Sequence, residues 1–382
     1  MNNLYLAAIC ATTGLGRAKL PTLIQKLGGA KAVFEADAKT LLATGLYRED
    51  AVQRFLALRD LQLPAKLAAF CKREGVQLVS LSDAAYPDSL RQINDPPLVL
   101  YVKGSLPQVP YAVAIVGSRD ATPYGVRVAQ YFAKALTHEK LPIISGGARG
   151  IDTAAHEACL KAGGKTVAVL GCGIDVAYPA GNKPLFNAIV AAGGAVVTEY
   201  PPATPPINKN FPARNRIIVG LARAVLVAEA GVRSGAVITA NIAADEGRDV
   251  YCVPGNIFDR TSIGCHDLIR NGAKLVDTVQ DILEDKQRWH EAQRRKICQP
   301  SIFDCTDNEL QAEPAIAENV QPRIQTTELG SRLLELLRAG AQPLESLTEK
   351  SGASFAAVSM ELLDLQVAGL VAVDQAQRYY RK

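Results

Sequence analysis

Six short runs of apolar, largely β-branched residues recur through residues 111–283, and helical stretches separate most of them. This alternation constrains the fold more than any other feature of the chain. The runs are Ala112–Val116, Pro142–Ser145, Thr166–Leu170, Ala195–Thr198, Ala224–Ala228 and Val250–Val253, with helical stretches such as Tyr124–Thr137 and Asp152–Ala162 between them. A strand that is apolar along its whole length has both faces buried, and intervening helices supply the crossovers that parallel strands need. The pattern predicts an α/β fold, a doubly wound parallel sheet within residues 81–284. A ligand of such a sheet is expected at the carboxyl ends of the strands.

At 382 residues the chain is too long for one ordinary core, and its flanks differ from its centre. Residues 1–80 carry apolar residues at helical spacing, as in Leu20, Leu23, Ile24 and Leu27, punctuated by Gly14, Gly16, Gly28-Gly29 and Gly45. They read as a small helical domain of the SAM or helix-hairpin-helix kind. Residues 81–110 hold Pro87, Pro96, Pro97, Pro107 and Pro110 and read as a connecting segment with short extended pieces. Residues 285–326 are polar and Gln-rich, a flexible linker. Residues 327–382 read as helix, turn, helix and hairpin, a winged-helix domain.

Several function classes are excluded or disfavoured. No apolar run approaches the ~20 residues that span a bilayer, and Met1 to Cys10 lacks the pattern of a signal peptide, so a cytoplasmic location is expected. The eight cysteines form no C-x-x-C pair and only four His are present, which argues against a zinc site. Net charge is +4, too mild to announce nucleic acid. Residues 1–80 hold 11 Lys and Arg against 6 Asp and Glu, and residues 81–284 hold 19 against 18. A basic site in the middle block must therefore come from local clustering. The last 56 residues have six basic and seven acidic side chains, so the winged helix is expected to contact protein rather than read DNA.

Four turns carry the candidate chemistry. Gly117-Ser118-Arg119 follows the first apolar run, where Gly117 lets a ligand approach, Ser118 offers a hydroxyl and Arg119 a phosphate-matching fork. Gly146-Gly147-Ala148-Arg149-Gly150-Ile151-Asp152 follows the second run and opens a helix, a backbone anion site of the strand, Gly-rich turn and helix type. It matches neither G-x-G-x-x-G nor the P-loop, which favours a phosphate of a longer ligand over a nucleotide cofactor. Asp152 reads as a helix cap. Lys209-Asn210-Phe211-Pro212-Ala213-Arg214-Asn215-Arg216 places Arg214 and Arg216 in a first helical turn, where the dipole disfavours cations and an incoming polyanion removes the conflict. Phe211 beside them is suited to stack on a base. Ser234 and Gly235 form a fourth small-residue turn, after the Ala224–Ala228 run. Four such turns on one edge make an extended basic crevice rather than one cofactor slot. There is no G-x-S-x-G elbow, no metal-spaced His pair and no hydrolytic carboxylate pair, so no catalytic or metal residue is assigned. His156 reads as structural.

In this order the motifs resemble the DNA-processing protein A (DprA/Smf) family. The resemblance rests on Gly117-Ser118-Arg119, the 146–152 run, Phe211-Pro212-x-Arg214-Asn215-Arg216-Ile217-Ile218, Ser234-Gly235-x-x-Ile238-Thr239-Ala240, Gly247-Arg248 before Val253-Pro254-Gly255, and Gly264-Cys265-x-x-Leu268-Ile269. It implies an extended Rossmann-like core that binds single-stranded DNA, forms a homodimer, and protects incoming strands and loads RecA recombinase on them in natural transformation. It implies no cofactor and no enzymatic activity. Arg119, Lys209, Phe211, Arg214, Asn215 and Arg216 would line the groove, and Gly146, Gly147 and Gly150 would shape its floor. Two other readings stay open. One is a Rossmann-like nucleotide phosphoribohydrolase, although residues 231–240 lack the Glu such enzymes use. The other is a nucleotide sensor that signals through the winged helix.

Overall fold

A computed structural model of the chain describes residues 2–107, 109–286, 288–289, 327–367, 370–374 and 378–381. Two units separate, residues 1–300 and 301–382. The first begins with helices α1 (Asn2–Ala11), α2 (Leu20–Leu27), α3 (Ala30–Glu35), α4 (Ala38–Ala43), α5 (Glu49–Leu58) and α6 (Leu63–Glu74). Their apolar faces, including Ile9, Leu23, Phe34, Leu41 and Phe55, close around one another and onto Val76, Val99 and Tyr101.

Nine strands follow: β1 (Val76–Ser80), β2 (Val99–Gly104), β3 (Val113–Gly117), β4 (Ile143–Ser145), β5 (Thr166–Val169), β6 (Ala195–Thr198), β7 (Ala224–Glu229), β8 (Asp249–Cys252) and β9 (Lys274–Leu275). They form one sheet in the order β1-β2-β6-β5-β4-β3-β7-β8-β9. Strands β3 to β9 pair in parallel with one another, whereas β2 runs antiparallel to β6 and β1 to β2. The segment 81–110 is therefore more than a connection. It contains α7 (Asp88–Arg91) and β2, whose Leu100 and Val102 face the sheet core while Val99 and Tyr101 face the helical module. One strand shared between two cores leaves no gap near residue 80.

Each central strand is buried on both faces, as its continuous apolar run requires. In β3, Ala114 and Val116 point to one side, and Val113 and Ile115 to the other; β7 divides Val225 and Val227 from Ala224, Leu226 and Ala228 in the same way. Helices α8 (Pro123–His138), α9 (Ile151–Lys161) and α10 (Lys183–Ala191) cover one face. Helices α11 (Asn210–Leu221), α12 (Gly235–Asp245) and α13 (Ile263–Arg270) cover the other, together with α7. Helix α8 shows why such elements begin where they do. The Thr122 hydroxyl accepts from Gly125 N at 3.1 Å and Pro123 fills the first position, which needs no N–H.

The second unit packs α14 (Glu328–Leu336), α15 (Leu344–Ser351) and α16 (Phe355–Val367) around Leu333, Leu347, Val358, Leu362 and Leu365. Strands β10 (Gln342–Pro343), β11 (Val371–Val373) and β12 (Arg378–Arg381) form a sheet in the order β10-β12-β11, which completes a winged helix. Most of the linker expected at 285–326 lies outside the described residues, as do Cys298 and Cys305. Among the described residues no helix is long and apolar enough to cross a membrane, and no cluster of His, Cys, Asp or Glu is placed to hold a metal ion.

His156 holds α9 to the sheet. The Thr166 hydroxyl donates to Ile143 O at 2.7 Å, so His156 Nδ1, 2.7 Å from the same hydroxyl, carries the proton and donates. Its Nε2 is buried without a hydrogen-bond partner among the described residues, and burial pulls the imidazole down to about 3. Between that value and the ordinary 6.5 the unfolded chain binds a proton that the folded chain excludes. Stability is therefore expected to fall as pH drops below 6.5, by about 1.4 kcal/mol per pH unit from this group. Urea unfolding from pH 7 to pH 4 checks this. The wild type should lose stability more steeply than His156→Gln, and parallel curves would contradict it.

Candidate nucleic-acid interface

Strand β3 stands where the strand order reverses: β4, β5 and β6 follow on one side, and β7, β8 and β9 on the other. The chain leaving β3 enters α8 on one face, and the chain leaving β7 enters α12 on the opposite face. The two carboxyl ends diverge and leave a crevice, the usual ligand position in a doubly wound sheet. It encloses about 430 Å³ and is lined by Gly117, Ser118, Arg119, Asp152, Phe211, Arg214, Asn215, Ser234 and Gly235, among others.

On the β3 side, Ser118 is fixed through its backbone. Its N–H donates to Glu229 O at 2.9 Å and its carbonyl accepts from Ile151 N at 3.1 Å. Gly150 makes this possible: at φ +77 it lies so close that a Cβ would stand 2.3 Å from the Ser118 oxygen. Arg119 projects to solvent with its guanidinium 5.3 Å from the centroid of the Phe211 ring, and it forms no ion pair with a described residue. Arg149 is also exposed but leans toward Asp120 at 3.5 Å and stays off the crevice wall.

The Gly-rich turn differs from the open anion cradle expected of it. The Asp152 carboxylate accepts from Gly146 N at 3.1 Å and from Ala148 N at 3.2 Å, and Ile151 N is taken by Ser118 O. Asp152 thus caps the turn before its helix. Burial pushes its carboxyl above the ordinary range, against the pull of Arg214 and these amides. Gly147 turns at φ +66 beside Phe186, and Asn182 donates to its carbonyl at 3.0 Å. Gly146, Gly147 and Gly150 build the turn behind the wall rather than the lining itself.

Helix α11 begins at Asn210, so Arg214 and Arg216 fall in its second turn, not its first. They diverge by about 200° around the axis. Arg214 is buried and donates to Gly146 O at 2.8 Å and to Val169 O. Burial brings its guanidinium down to about 10, with Asp152 opposing, so it stays charged at neutral pH. Arg216 turns away from the crevice. It grips Glu199 with two bonds of 2.9 and 2.8 Å and Asp95 with a third of 2.8 Å, and Arg17 of the helical module reaches the same Glu199 at 2.6 Å. This pairing, not a polyanion, meets its charge. Lys209 is exposed at the N-cap of α11. Phe211 is half-buried, its ring 5.4 Å from that of Tyr178. Across the crevice, the Ser234 hydroxyl caps α12 by accepting from Ala236 N at 3.1 Å, and Asn215 reaches Gly235 O at 3.5 Å. Sequence reasoning missed Tyr178 and Asn208; an aromatic before a proline carries no signal of its own.

Residues 77–287 match the family described as DNA recombination-mediator protein A, more than half of the chain. The chain belongs to the DNA-processing protein A (DprA/Smf) family. Residues 317–375 match the DprA winged helix domain. DNA processing protein DprA of Streptococcus pneumoniae is 45% identical over 235 residues, 61% of this chain and 80% of that one. Protein Smf of Synechocystis is 33% identical over 395 aligned residues, 99% of this chain and 98% of that one. The crystal structure of the Streptococcus pneumoniae DprA is similar at a TM-score of 0.61 and 37% identity, covering 75% of this chain and 98% of that one. A structure of DNA processing protein A from Helicobacter pylori, solved for its single-stranded DNA binding mode, is similar at a TM-score of 0.50 and 28% identity, covering 56% and 96%.

The burial of Glu199 separates the roles of the two arginines. Arg216→Ala leaves that carboxylate with Arg17 alone and is expected to cost about 3 kcal/mol in urea unfolding. A variant as stable as the wild type would show that the pairing contributes nothing.

Proposed function

We propose that this DprA/Smf protein binds single-stranded DNA along the crevice, without catalysis and without a cofactor. The observation that carries the reading is the pairing of Arg119 with Phe211. A guanidinium with no ion pair among the described residues lies over a half-exposed aromatic ring, at the open edge of the sheet's switch point. A phosphate and a base each find a partner there, and neither contact selects sequence. Lys209 adds a second exposed cation, and Gly117, Ser118, Ser234 and Gly235 allow the backbone of a strand to come close. Arg214 and Asn215 support the site by fixing α11; Arg216 does so from behind.

The acids near the crevice favour binding over hydrolysis. Glu229, at the end of β7, accepts from the Thr122 hydroxyl at 2.6 Å and from Thr122 N. Asp152 is held by the turn amides. By the family resemblance, the protein would act as a homodimer that shields incoming strands and loads RecA in transformation. The winged helix fits a protein contact, since α16 contains no Lys or Arg.

Fluorescence anisotropy of a dye-tagged oligonucleotide at several salt concentrations tests the reading. Single strands are expected to bind more tightly than duplex, with a shallow salt dependence, since few unpaired cations stand by the crevice. Arg119→Ala should lower the slope of log K against log salt by about 0.7, as for one lost phosphate contact on a single strand. Phe211→Ala should weaken binding by about 1–3 kcal/mol with little change in slope. Saturable binding or hydrolysis of a mononucleotide, with no binding of single strands, would favour the enzyme or sensor instead.

A further inference from the structure

Two tight turns beside the crevice carry residues that turns seldom expose. After β7, Ser234 N donates to Gly231 O at 3.2 Å, which sets Val232 and Arg233 at the corners. After β8, Asp259 N donates to Asn256 O at 3.1 Å and Phe258 N to Asn256 Oδ1 at 3.0 Å, which sets Ile257 and Phe258 at the corners. Gly, Pro, Asn, Asp and Ser are the usual corner residues. Here Val232 is 55% exposed, Ile257 73% and Phe258 87%. The hydrogen bonds close the two turns with these apolar tips exposed, and large exposed apolar groups mark contact sites.

The turns adjoin each other and the crevice. Gly264 N donates to Ala230 O at 2.9 Å, and a Cβ on Gly231 would lie 3.4 Å from the Arg260 carbonyl oxygen. The first turn ends in Ser234 and Gly235, which line the crevice. Arg233 and Arg260 flank the tips, both exposed and neither in an ion pair with a described residue. Asp259 is the one acid on the two turns.

We propose that these turns form a second station for single-stranded DNA, where a base leaving the crevice stacks on Phe258 and the adjoining phosphates lie against Arg233 and Arg260. The inference rests on the single-strand reading of the crevice. Two unpaired cations favour a polyanion over a protein, and three side-chain tips fall far short of the ~800 Å² per partner of a stable protein interface. An exposed ring, by contrast, is enough to stack a base.

The test uses the full chain and dye-tagged oligothymidylates of about 6 and about 20 nucleotides, which bracket common single-strand site sizes. The short strand fills the crevice, and the long one also reaches the turns. Phe258→Ala is expected to weaken the long strand about fivefold or more and to leave the short one unchanged. Arg260→Ala should lower the salt slope for the long strand only. A wild type that binds neither strand overturns the reading of the crevice and the station with it. A wild type that binds both, with Phe258→Ala indistinguishable from it at each length, overturns the station alone. A Phe258→Ala variant changed only in its molar mass by light scattering also overturns it and marks the tip as a protein contact.

Discussion

Arg214 reaches from the second turn of α11 to the carbonyls of Gly146 and Val169, at the ends of β4 and β5. Gly146 is wedged between this guanidinium and the Asp152 carboxylate, so that a Cβ there would lie 2.6 Å from one and 2.8 Å from the other. Asp152 in turn holds the amides of Gly146 and Ala148. One buried cation, one buried anion and a glycine without a side chain therefore fix three loops at once. The start of α11 follows, and with it the position of Phe211 under Arg119 and of Asn215 against Gly235. Each charge is held mainly by backbone groups, the cation by two carbonyls and the carboxylate by two amides, so removing either side chain would leave buried backbone groups without their partners.

The parallel core was legible because its signal is redundant: each central strand is apolar on both faces, β3 ends in Gly117, and β4, β5, β7 and β8 are each followed by a turn that contains Gly. The antiparallel edge was not. The prolines of residues 81–110 suggested a connecting segment with only short extended pieces, yet Pro87 stands just before α7, and Pro96, Pro97 and Pro107 stand outside β2. They bound these elements rather than interrupt them, a distinction that composition does not carry. The sharing of β2 between the helical module and the sheet is a tertiary fact that the strand's own pattern leaves open.

The basic cluster of 209–216 was legible as a cluster but not as a geometry. A shift in where the helix begins moves every side chain around the axis. Beginning at Asn210 sends Arg214 inward and Arg216 to the far side, toward Glu199 and Arg17, two residues distant in sequence from each other and from the helix. No local pattern announces a carboxylate 17 residues upstream or a guanidinium almost 200 residues away. The same limit applies to the Gly-rich turn. Its glycines point to an anion site, and the anion that occupies the amides belongs to the chain itself, at Asp152.

The charge left for a ligand is smaller than the sequence suggests, and this shapes how the site works. Arg214 is buried, Arg216 is paired, and Arg149 leans on Asp120. Arg119 remains on the crevice wall and Lys209 stands exposed at the N-cap of α11, within a block of 19 basic and 18 acidic side chains. Few released counterions mean that electrostatics alone give modest affinity. On the proposed single-strand reading, stacking on Phe211 would then have to supply much of the rest. Affinity built this way is indifferent to sequence, because every base presents a π-face.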